Sequence, residues 1–593
     1  MTYLRYHDKI RSLLLILFLI GVWIPIAARA ADTPSQNSQK TIQNQVPPAG
    51  TSLKPVNGPS SLEMLTYTDI QKAILNRLKA GNGFIKSAKG AVPLRERFYG
   101  ERQFQPAWIR DKMISDQAQK LIQVLKEADR EGLNPSDYRI DQIESLLAQV
   151  KQRQNGGNSS AVETWADLDM MLTDAFFAYG THVSKGRLDP GKWFYQWIPY
   201  RRSVDLVQVL TEALDKKNVE GALKNLPPRY PAYAQLRTEL ANYRQLAADG
   251  GWATIPEKTK IRKGSTGHAV TLLKHRLVIS GDLDAAALGI NDHFDGRLQG
   301  ALQRFQERHG LNADGVMAEE TRKALNFSVE KRIRQIEWNM ERWRWLPDEL
   351  GPRYVMVNIP DYRLFVVENQ ITVMSMKTVV GKSAQPTPVF MDNMSYLELN
   401  PTWNLPNSIV AEEMIPKVKK DHDYLTKKRI RIYSNWTTKA KEIDPKTIDW
   451  AAVNAKKFPY RMIQDTGVNP LGRIKFMFPN QFDVYLHDTT QKGLFQRSKR
   501  MYSHGCIRVE RPYDLGEWVL RDDTAWSKTR LLTEIKKGKR QVVNLPKPIP
   551  VYVIYMTAWF DTRGHIHFRD DIYDYDKSLE KVLKMSNSTS GKG

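Results

Sequence analysis

The feature that most limits how this chain can fold is a change of hydrophobic period near residue 350. Before that point apolar residues such as Leu121 and Leu125 recur at helical spacing, which predicts amphipathic helices. After it, residues such as Val355 and Val357 alternate with other side chains, which predicts a β meander. We therefore predict a multi-domain α+β protein, with a helical region first and a mostly-β domain after it.

Residues 62–245 are predicted to form a helical scaffold domain. One of its apolar stripes runs from Leu168 to Tyr179, and we expect that helix to end at Gly180 or soon after. The many aromatic residues of the region are assigned to its core, because apolar stripes at helical spacing are usually buried. No catalytic constellation is predicted there.

The first 30 residues are predicted to be an export signal. Basic residues precede the apolar run 13–20, and Ala28-Arg29-Ala30 follows as a cleavage site. The alternative is an uncleaved membrane tether through residues 13–27, although the run is shorter than the ~20 apolar residues that a spanning helix needs. Residues 31–60 are rich in Gln, Asn, Ser, Pro and Gly, which predicts a flexible linker.

The formal net charge of +23 favours anionic partners such as nucleic acid, lipid headgroups or an anionic cell wall. No nucleic-acid motif accompanies the charge, so we do not expect nucleic acid as a partner. The chain has one cysteine, Cys506, which cannot form an internal disulfide or a multi-cysteine zinc site. Cys506 is either a reactive thiol or a buried, inert residue. The residues around it in the sequence distinguish these two interpretations.

Two histidines could activate the Cys506 thiol, which attacks only as a thiolate. His504 lies two positions before it and His487 lies 19 positions before it, and spacing alone allows either. Gly505 would let a carbonyl substrate approach, and its amide and that of Cys506 could stabilise an oxyanion. A cysteine–histidine acyl-transfer site is favoured over zinc bound by the same three side chains, because no second cysteine or ordered acidic partner is present. We predict neither a metal nor a cofactor.

Residues 258–326 are predicted to form a compact unit of three short helices. The runs Leu273-Lys274-x-Arg276-Leu277, Ala301-Leu302-Gln303-x-Phe305-Gln306 and Gly310-Leu311-x-x-Asp314-Gly315-Val316 resemble the small three-helix peptidoglycan-binding domain. The match departs at Ala318, where a capping residue or glycine is more usual. The alternative is a helical spacer that binds nothing.

The run Ser503-His504-Gly505-Cys506-Ile507-Arg508, with His487 upstream, resembles the signature of the YkuD-type L,D-transpeptidase catalytic domain. Gly381-Lys382 and Pro386-Thr387-Pro388 also suit that family. The resemblance places the catalytic domain at 350–540, followed by strands and a helix at 541–580. The Lys-rich, helix-favouring composition of about 405–470, between two stretches of strand pattern, predicts a capping insertion, and the composition of 586–593 predicts a disordered tail. The order of the segments resembles the long, periplasmic L,D-transpeptidases of Gram-negative bacteria.

The resemblance also implies a reaction and a set of roles. The enzyme would release D-alanine from a peptidoglycan tetrapeptide stem and join diaminopimelate to diaminopimelate, in cell-wall biogenesis and remodelling. The implied roles are Cys506 as nucleophile, His487 as general base oriented by the Asp488 carbonyl, Tyr485 and Gly505 in the oxyanion hole, and Ser503, His504 and Arg508 in substrate binding. Carbapenems would acylate the same thiol, and other cell-wall enzymes are further candidate partners.

Two alternatives stay open at this point. Water could replace the acceptor amine, which would give carboxypeptidase activity or release of a wall-attached lipoprotein. A non-catalytic wall-binding scaffold is the alternative from another class, and it predicts that replacing Cys506 leaves function intact.

Overall fold

The computed structural model describes residues 61–80, 93–110, 113–153, 160–194, 197, 202–257, 260–288, 291–437 and 439–590. The predicted signal segment and linker, residues 1–60, lie outside these ranges, as do residues 591–593. Within the described ranges, no helix is both long enough and apolar enough to cross a membrane.

The first part of the chain is helical, as predicted. Its helices are α1 (Ser61–Lys79), α2 (Leu94–Glu101), α3 (Asp116–Lys126), α4 (Ile140–Arg153), α5 (Ser160–Lys185), α6 (Pro190–Trp193), α7 (Leu206–Asp215), α8 (Val219–Lys224) and α9 (Pro231–Ala248), and β1 (Ile109–Arg110) pairs with β2 (Met113–Ile114). Apolar faces of α1–α5, α7 and α8 share one core, in which the aromatic residues Phe98, Trp108 and Phe176 are buried. Helix α9 packs instead in a second core, which also contains Ile336 and Phe568.

Helix α5 continues five residues beyond Gly180, to Lys185. A side-chain carbon at Gly180 would lie 3.0 Å from the Leu206 side chain, so this glycine allows α7 to pack closely. The helix ends where Gly186 adopts a φ of +86°, a conformation that favours glycine. The sequence pattern therefore predicted the position of the helix. Gly180 is a packing position inside the helix, and Gly186 is the residue that ends it.

The predicted three-helix unit consists of α10 (His268–Ile279), α11 (Gly296–Arg308) and α12 (Glu319–Leu325), and α13 (Val329–Trp343) follows it. The unit has its own core, which includes Leu273, Leu302 and Phe305. Ala318 occupies the N-cap position of α12 and makes no side-chain capping hydrogen bond. The unusual residue at this position therefore leaves the start of one helix uncapped without preventing the fold.

The remaining strands are β3 (Arg353–Asn358), β4 (Arg363–Glu368), β5 (Ile371–Gly381), β6 (Phe390–Leu399), β7 (Trp403–Asn404), β8 (Ile430–Tyr433), β9 (Glu442–Ile443), β10 (Arg461–Gln464), β11 (Ile474–Met477), β12 (Leu486–His487), β13 (Met501–Ser503), β14 (Ile507–Val509), β15 (Gln541–Ile554), β16 (Ala558–Phe560) and β17 (Ile566–Phe568). Nine of them form one sheet in the order β13-β5-β14-β12-β11-β6-β15-β3-β4, and β4 also pairs with β5. The sheet thus closes on itself, and the short strands β12 and β14 lie side by side within it.

The segment between β6 and β11 folds as a separate small unit. It contains a four-stranded sheet in the order β7-β10-β8-β9, with helices α14 (Asn407–Ile409), α15 (Ile415–Lys420) and α16 (Tyr424–Lys427). Between α14 and α15 the chain forms one π-helical turn, Val410–Met414, a feature often found at functional sites. This unit has its own core around Leu405, Ile432 and Trp450, and that core stabilises the π-helical turn.

Three more helices complete the chain: α17 (Pro512–Leu520), α18 (Lys528–Lys536) and α19 (Tyr575–Ser590). Strands β16 and β17 form a hairpin beyond the main sheet. Helix α19 extends into the segment predicted to be a disordered tail, because no glycine or proline interrupts it before Gly591.

Candidate active site

The cysteine lies in the short turn that joins β13 to β14. Gly505 has a φ of +113°, a conformation that is strained for any residue with a side chain. The Ser503 hydroxyl donates to the Cys506 carbonyl oxygen at 2.5 Å and accepts from the Gly505 amide at 3.2 Å. Ser503 therefore braces this turn from inside, and its own side chain is buried.

The same contact corrects one expectation about the oxyanion hole. The Gly505 amide was predicted to donate into the cleft, yet it donates to the Ser503 hydroxyl. An N–H group already committed within its own turn is a poor donor to a substrate oxygen. The Cys506 amide and the Tyr485 hydroxyl are then the better candidates for that role.

Thr387 holds the turn from the neighbouring loop, although no role was predicted for it. Its hydroxyl donates to the Gly505 carbonyl oxygen at 2.8 Å and accepts from the Gly381 amide at 2.9 Å. The Tyr573 hydroxyl donates to the Gly381 carbonyl oxygen at 2.5 Å. A fully buried threonine thus ties together the two backbone segments around the cysteine.

His487 occupies the last position of β12, where its strand neighbour is Arg508 on β14. Its Nδ1 atom lies 2.5 Å from the carbonyl oxygen of Asp488. Burial, and next the positive charge of Arg508, lower the pKa of His487 to about 3, so the ring is neutral at neutral pH. A proton on Nδ1 then donates to the Asp488 carbonyl. Hydrogen bonds with the backbone of Asp488 and of Leu471 oppose the lowering of the His487 pKa.

The thiol of Cys506 donates to the carbonyl oxygen of Asp483, with 3.8 Å between sulfur and oxygen. Burial raises the pKa of the thiol, while hydrogen bonds with the backbone and hydroxyl of Tyr485 oppose the rise. The positive charges of Lys475 and Arg508 oppose it further. The thiol is protonated at rest, and the groups that would stabilise its thiolate are already in position.

His504 faces away from this arrangement and toward the insertion. Its Nε2 atom lies 2.9 Å from a carboxylate oxygen of Glu413, in the π-helical turn, and 3.5 Å from Nζ of Lys382. Burial, and next the charge of Lys382, lower the pKa of His504. Of the two histidines that spacing allowed as the base, this one joins the catalytic turn to the insertion.

Arg508 lies two residues after Cys506, on β14. Its Nη1 donates to the side-chain oxygen of Gln491 at 2.5 Å. Burial lowers the pKa of Arg508, and the Cys506 thiolate acts against that shift. A guanidinium on the strand that directly follows the cysteine has the chemistry to pair with a carboxylate.

The described residues include no group of three or more His, Cys, Asp or Glu side chains placed to hold a metal ion. Of the three residues considered as zinc ligands, His504 is bonded to Glu413 and His487 has its Nδ1 against a backbone carbonyl.

The closed mostly-β sheet carries Cys506 directly before β14 and His487 on β12, the strand that pairs with β14, and these are residue types that cysteine-nucleophile acyl transferases use. Residues 352–542 match the family model "L,D-transpeptidase catalytic domain". Residues 266–325 match the model "Putative peptidoglycan binding domain", and residues 94–240 match the model "Scaffold domain". The chain therefore contains an L,D-transpeptidase catalytic domain of the YkuD type and a peptidoglycan-binding domain, as the sequence resemblances implied, and the predicted fold class is confirmed.

Similar proteins agree with this assignment. A curated protein of Haemophilus influenzae named "Putative L,D-transpeptidase" is 35% identical over 253 residues, which are 42% of this chain and 50% of that protein. The chain thus spans about half the length of this curated relative.

Two solved L,D-transpeptidases show weaker likeness. One from Xylanimonas cellulosilytica is 14% identical with a TM-score of 0.16, and the match covers 50% of this chain and 99% of that one. One from Stackebrandtia nassauensis is 12% identical with a TM-score of 0.20, and the match covers 51% and 96%. Scores this low do not extend the assignment beyond the family models.

Proposed function

We propose that this protein is an L,D-transpeptidase that crosslinks peptidoglycan stem peptides through an acyl-enzyme on Cys506. The observation that carries the proposal is the contact between His487 Nδ1 and the Asp488 carbonyl oxygen at 2.5 Å. It leaves Nε2 of a neutral imidazole as a base, one strand away from the strand that follows the cysteine. The family model at 352–542 supports the same reading.

In the first half-reaction the Cys506 sulfur attacks the amide carbonyl that follows diaminopimelate in a tetrapeptide stem. His487 takes the thiol proton, a C–S bond forms, and the oxyanion is held by the Tyr485 hydroxyl and the Cys506 amide. The intermediate then collapses: the C–N bond breaks, and His487 returns the proton to the amine of the departing D-alanine. Arg508 pairs with a carboxylate of the donor stem.

In the second half-reaction the side-chain amine of diaminopimelate on another stem attacks the thioester. His487 removes a proton from this amine, the new amide forms, and the thiolate leaves and is reprotonated. Ser503 supports this cycle by holding the turn, and His504 by linking it to the insertion. If water attacks instead, the product is a trimmed stem or a released lipoprotein.

The peptidoglycan-binding unit, the net charge and the N-terminal segment are also consistent with a function at the cell wall. The three-helix unit at 266–325 would hold the enzyme on peptidoglycan, and the net charge of +23 suits an anionic wall. We therefore place the protein in the periplasm, exported by its N-terminal segment and either released or tethered there. Peptidoglycan is the proposed partner, with other cell-wall enzymes as further candidates.

Whole-protein mass spectrometry after mixing with a carbapenem tests the nucleophile. We expect one covalent adduct, absent from Cys506→Ala. An adduct that persists in Cys506→Ala contradicts the proposed nucleophile, and no adduct on the parent chain contradicts the proposed acylation.

Product analysis with purified disaccharide-tetrapeptide tests the acceptor. Crosslinked dimers together with free D-alanine support the transpeptidase. A disaccharide-tripeptide alone indicates that water is the acceptor, and unchanged substrate argues for a non-catalytic scaffold.

A further inference from the structure

Lys475 lies in β11 at a position the predicted mechanism does not use. The strand register pairs Lys475 with His487 on β12 and with Glu398 on β6, and it pairs His487 with Arg508 on β14. Residues directly opposite each other on neighbouring strands project from the same face of a sheet. Glu398, Lys475, His487 and Arg508 therefore form one row across the sheet, and the proposed base stands between two cations.

The Lys475 side chain reaches the tyrosine that contacts the thiol. Its Nζ lies 4.0 Å from the centroid of the Tyr485 ring, a short distance for a cation over an aromatic face. The Tyr485 ring in turn packs edge-on against His487, with ring centroids 5.7 Å apart. The Tyr485 backbone carbonyl accepts from the Ile507 amide at 3.1 Å, so this tyrosine lies beside the residue that follows Cys506. Burial, and next the Cys506 thiolate, raise the pKa of the Tyr485 hydroxyl.

We propose that Lys475 is a positioning residue of the nucleophile: its ammonium fixes the Tyr485 ring so that the hydroxyl meets the Cys506 sulfur, and its charge favours the thiolate. The inference rests on the proposed function only where it concerns the effect of Lys475 on the rate of crosslinking. Its effect on the thiol itself is independent of which acceptor, or which substrate, the enzyme uses.

The two cations of the row both act on the thiol and on the imidazole, but with different relative strength. Lys475 does more than Arg508 to lower the pKa of the Cys506 thiol. For the pKa of His487 the order is reversed, and Arg508 has the larger effect. Lys475 therefore has the larger effect on the thiol, and Arg508 has the larger effect on the imidazole.

Several charged groups face Lys475 and affect its pKa, so they contribute to any pH dependence measured at this site. They are Glu398 on β6, Asp483 in the loop before β12, Arg540 before β15, and the Cys506 thiolate. Burial lowers the pKa of Lys475, and Glu398 and the thiolate act against that shift. A guanidinium nitrogen of Arg540 lies 3.3 Å from a carboxylate oxygen of Glu398, so Lys475 shares that anion with a second cation.

The test compares Lys475→Met, which keeps most of the side-chain volume and removes the charge, with Lys475→Arg, which keeps a cation over the ring. Lys499→Met, on an exposed lysine paired with Glu320, is the matched control. The rate at which iodoacetamide alkylates Cys506 in the full-length chain is measured from pH 6 to 10. This rate follows the thiolate fraction, and Cys506 is the only thiol in the chain.

For Lys475→Met we expect the whole alkylation profile to move to higher pH, with a rate about tenfold lower at pH 7, which corresponds to a pKa shift of about one unit. Lys475→Arg should recover most of that loss, and Lys499→Met should match the parent. Combining Lys475→Met with Tyr485→Phe should shift the profile by less than the sum of the two single changes, because both act at one contact.

An unmoved profile in a folded Lys475→Met variant overturns the inference, and circular dichroism establishes that the variant is folded. A moved profile without any crosslinked product in the parent protein contradicts the proposed function and leaves the inference intact. Crosslinking by the parent protein together with an unmoved alkylation profile in Lys475→Met supports the proposed function and contradicts the inference.

Discussion

The Nδ1 atom of His487 is held against the carbonyl oxygen of Asp488, the next residue along the chain. That peptide group is fixed in turn, because the Asp488 carboxylate accepts from the backbone amides of Arg473 at 2.8 Å and of Thr489 at 2.7 Å. The ring orientation of the proposed base is thus set by backbone geometry, and among the residues that the structure describes no carboxylate is hydrogen-bonded to this imidazole.

Replacing His487 with Gln should remove the base while keeping a polar side chain of similar size. We expect acylation by a carbapenem to slow by roughly 10²–10⁴-fold, the usual contribution of general acid–base catalysis. Stopped-flow or time-resolved mass spectrometry measures the rate, with the exposed His268→Gln as control. Acylation at the parent rate in His487→Gln would assign the base elsewhere.

Thr387→Val should destabilise the catalytic turn. The change leaves the Gly505 carbonyl and the Gly381 amide without their partner in a buried place, which costs about 2 kcal/mol. We expect a lower unfolding midpoint and slower acylation. The same change at the exposed Thr533, whose hydroxyl bonds a helix carbonyl, should cost much less. Equal effects at the two sites would show that the Thr387 bridge is unimportant.

His182 should make the fold sensitive to acid. Burial, followed by the charges of Arg187 and Arg344, lowers the pKa of His182 to about 3, against about 6.5 in an unfolded chain. Below pH 6.5 only the unfolded state takes up this proton, so stability is lost as the pH falls from 6.5 toward 3. Between pH 6.5 and 5 the expected loss is about 2 kcal/mol.

Denaturant unfolding at several pH values measures this loss. His182→Gln should flatten the pH dependence. Tyr138→Phe removes the hydrogen bond to the same imidazole at 3.1 Å but keeps the titrating group, so it should lower stability without flattening the curve. A curve that Tyr138→Phe flattens as much as His182→Gln does would contradict this account.

Arg569 should be needed to hold the peptidoglycan-binding unit against the catalytic domain. Its guanidinium donates to the buried carboxylate of Asp361 at 2.6 Å and to the carbonyl oxygen of Arg308, the last residue of α11, at 2.6 Å. Arg569→Met would leave Asp361 buried and unpaired, at a cost of about 3 kcal/mol or more. We expect a fall of roughly 5 °C or more in the apparent Tm.

The exposed pair of Lys499 and Glu320 bridges the same two parts of the chain. Lys499→Met is the control, with an expected cost under about 1 kcal/mol, because exposed ion pairs contribute little. Scanning calorimetry compares the two variants. A larger effect at Lys499 than at Arg569 would show that surface charge holds this interface.

The sequence was most informative where the signal is local. Hydrophobic period separates the helical part from the sheet, because burial of one face imposes a period of 3.6 or 2 whatever the partner is. The Ser503-His504-Gly505-Cys506 run located the turn, because a glycine with positive φ and a bracing serine must be adjacent to the cysteine that they position.

The groups that were not predicted act across long stretches of sequence. Lys475 meets His487 only through the register of β11 and β12, and Thr387 reaches Gly505 from a loop more than a hundred residues away. Glu413 meets His504 because the insertion folds as its own unit and returns to the catalytic turn. None of these contacts has a periodic or short-range signal, so each required the three-dimensional fold.

Strand β15 has a practical consequence for dissecting the protein. It pairs with β6 on one side and β3 on the other, from Gln541 to Ile554, whereas the family match ends at residue 542. A recombinant fragment cut at that boundary would lack an interior strand and expose two unpaired edges, which invites aggregation. Crystallisation or inhibitor screening of an isolated catalytic fragment should therefore retain the chain through α19 (Tyr575–Ser590).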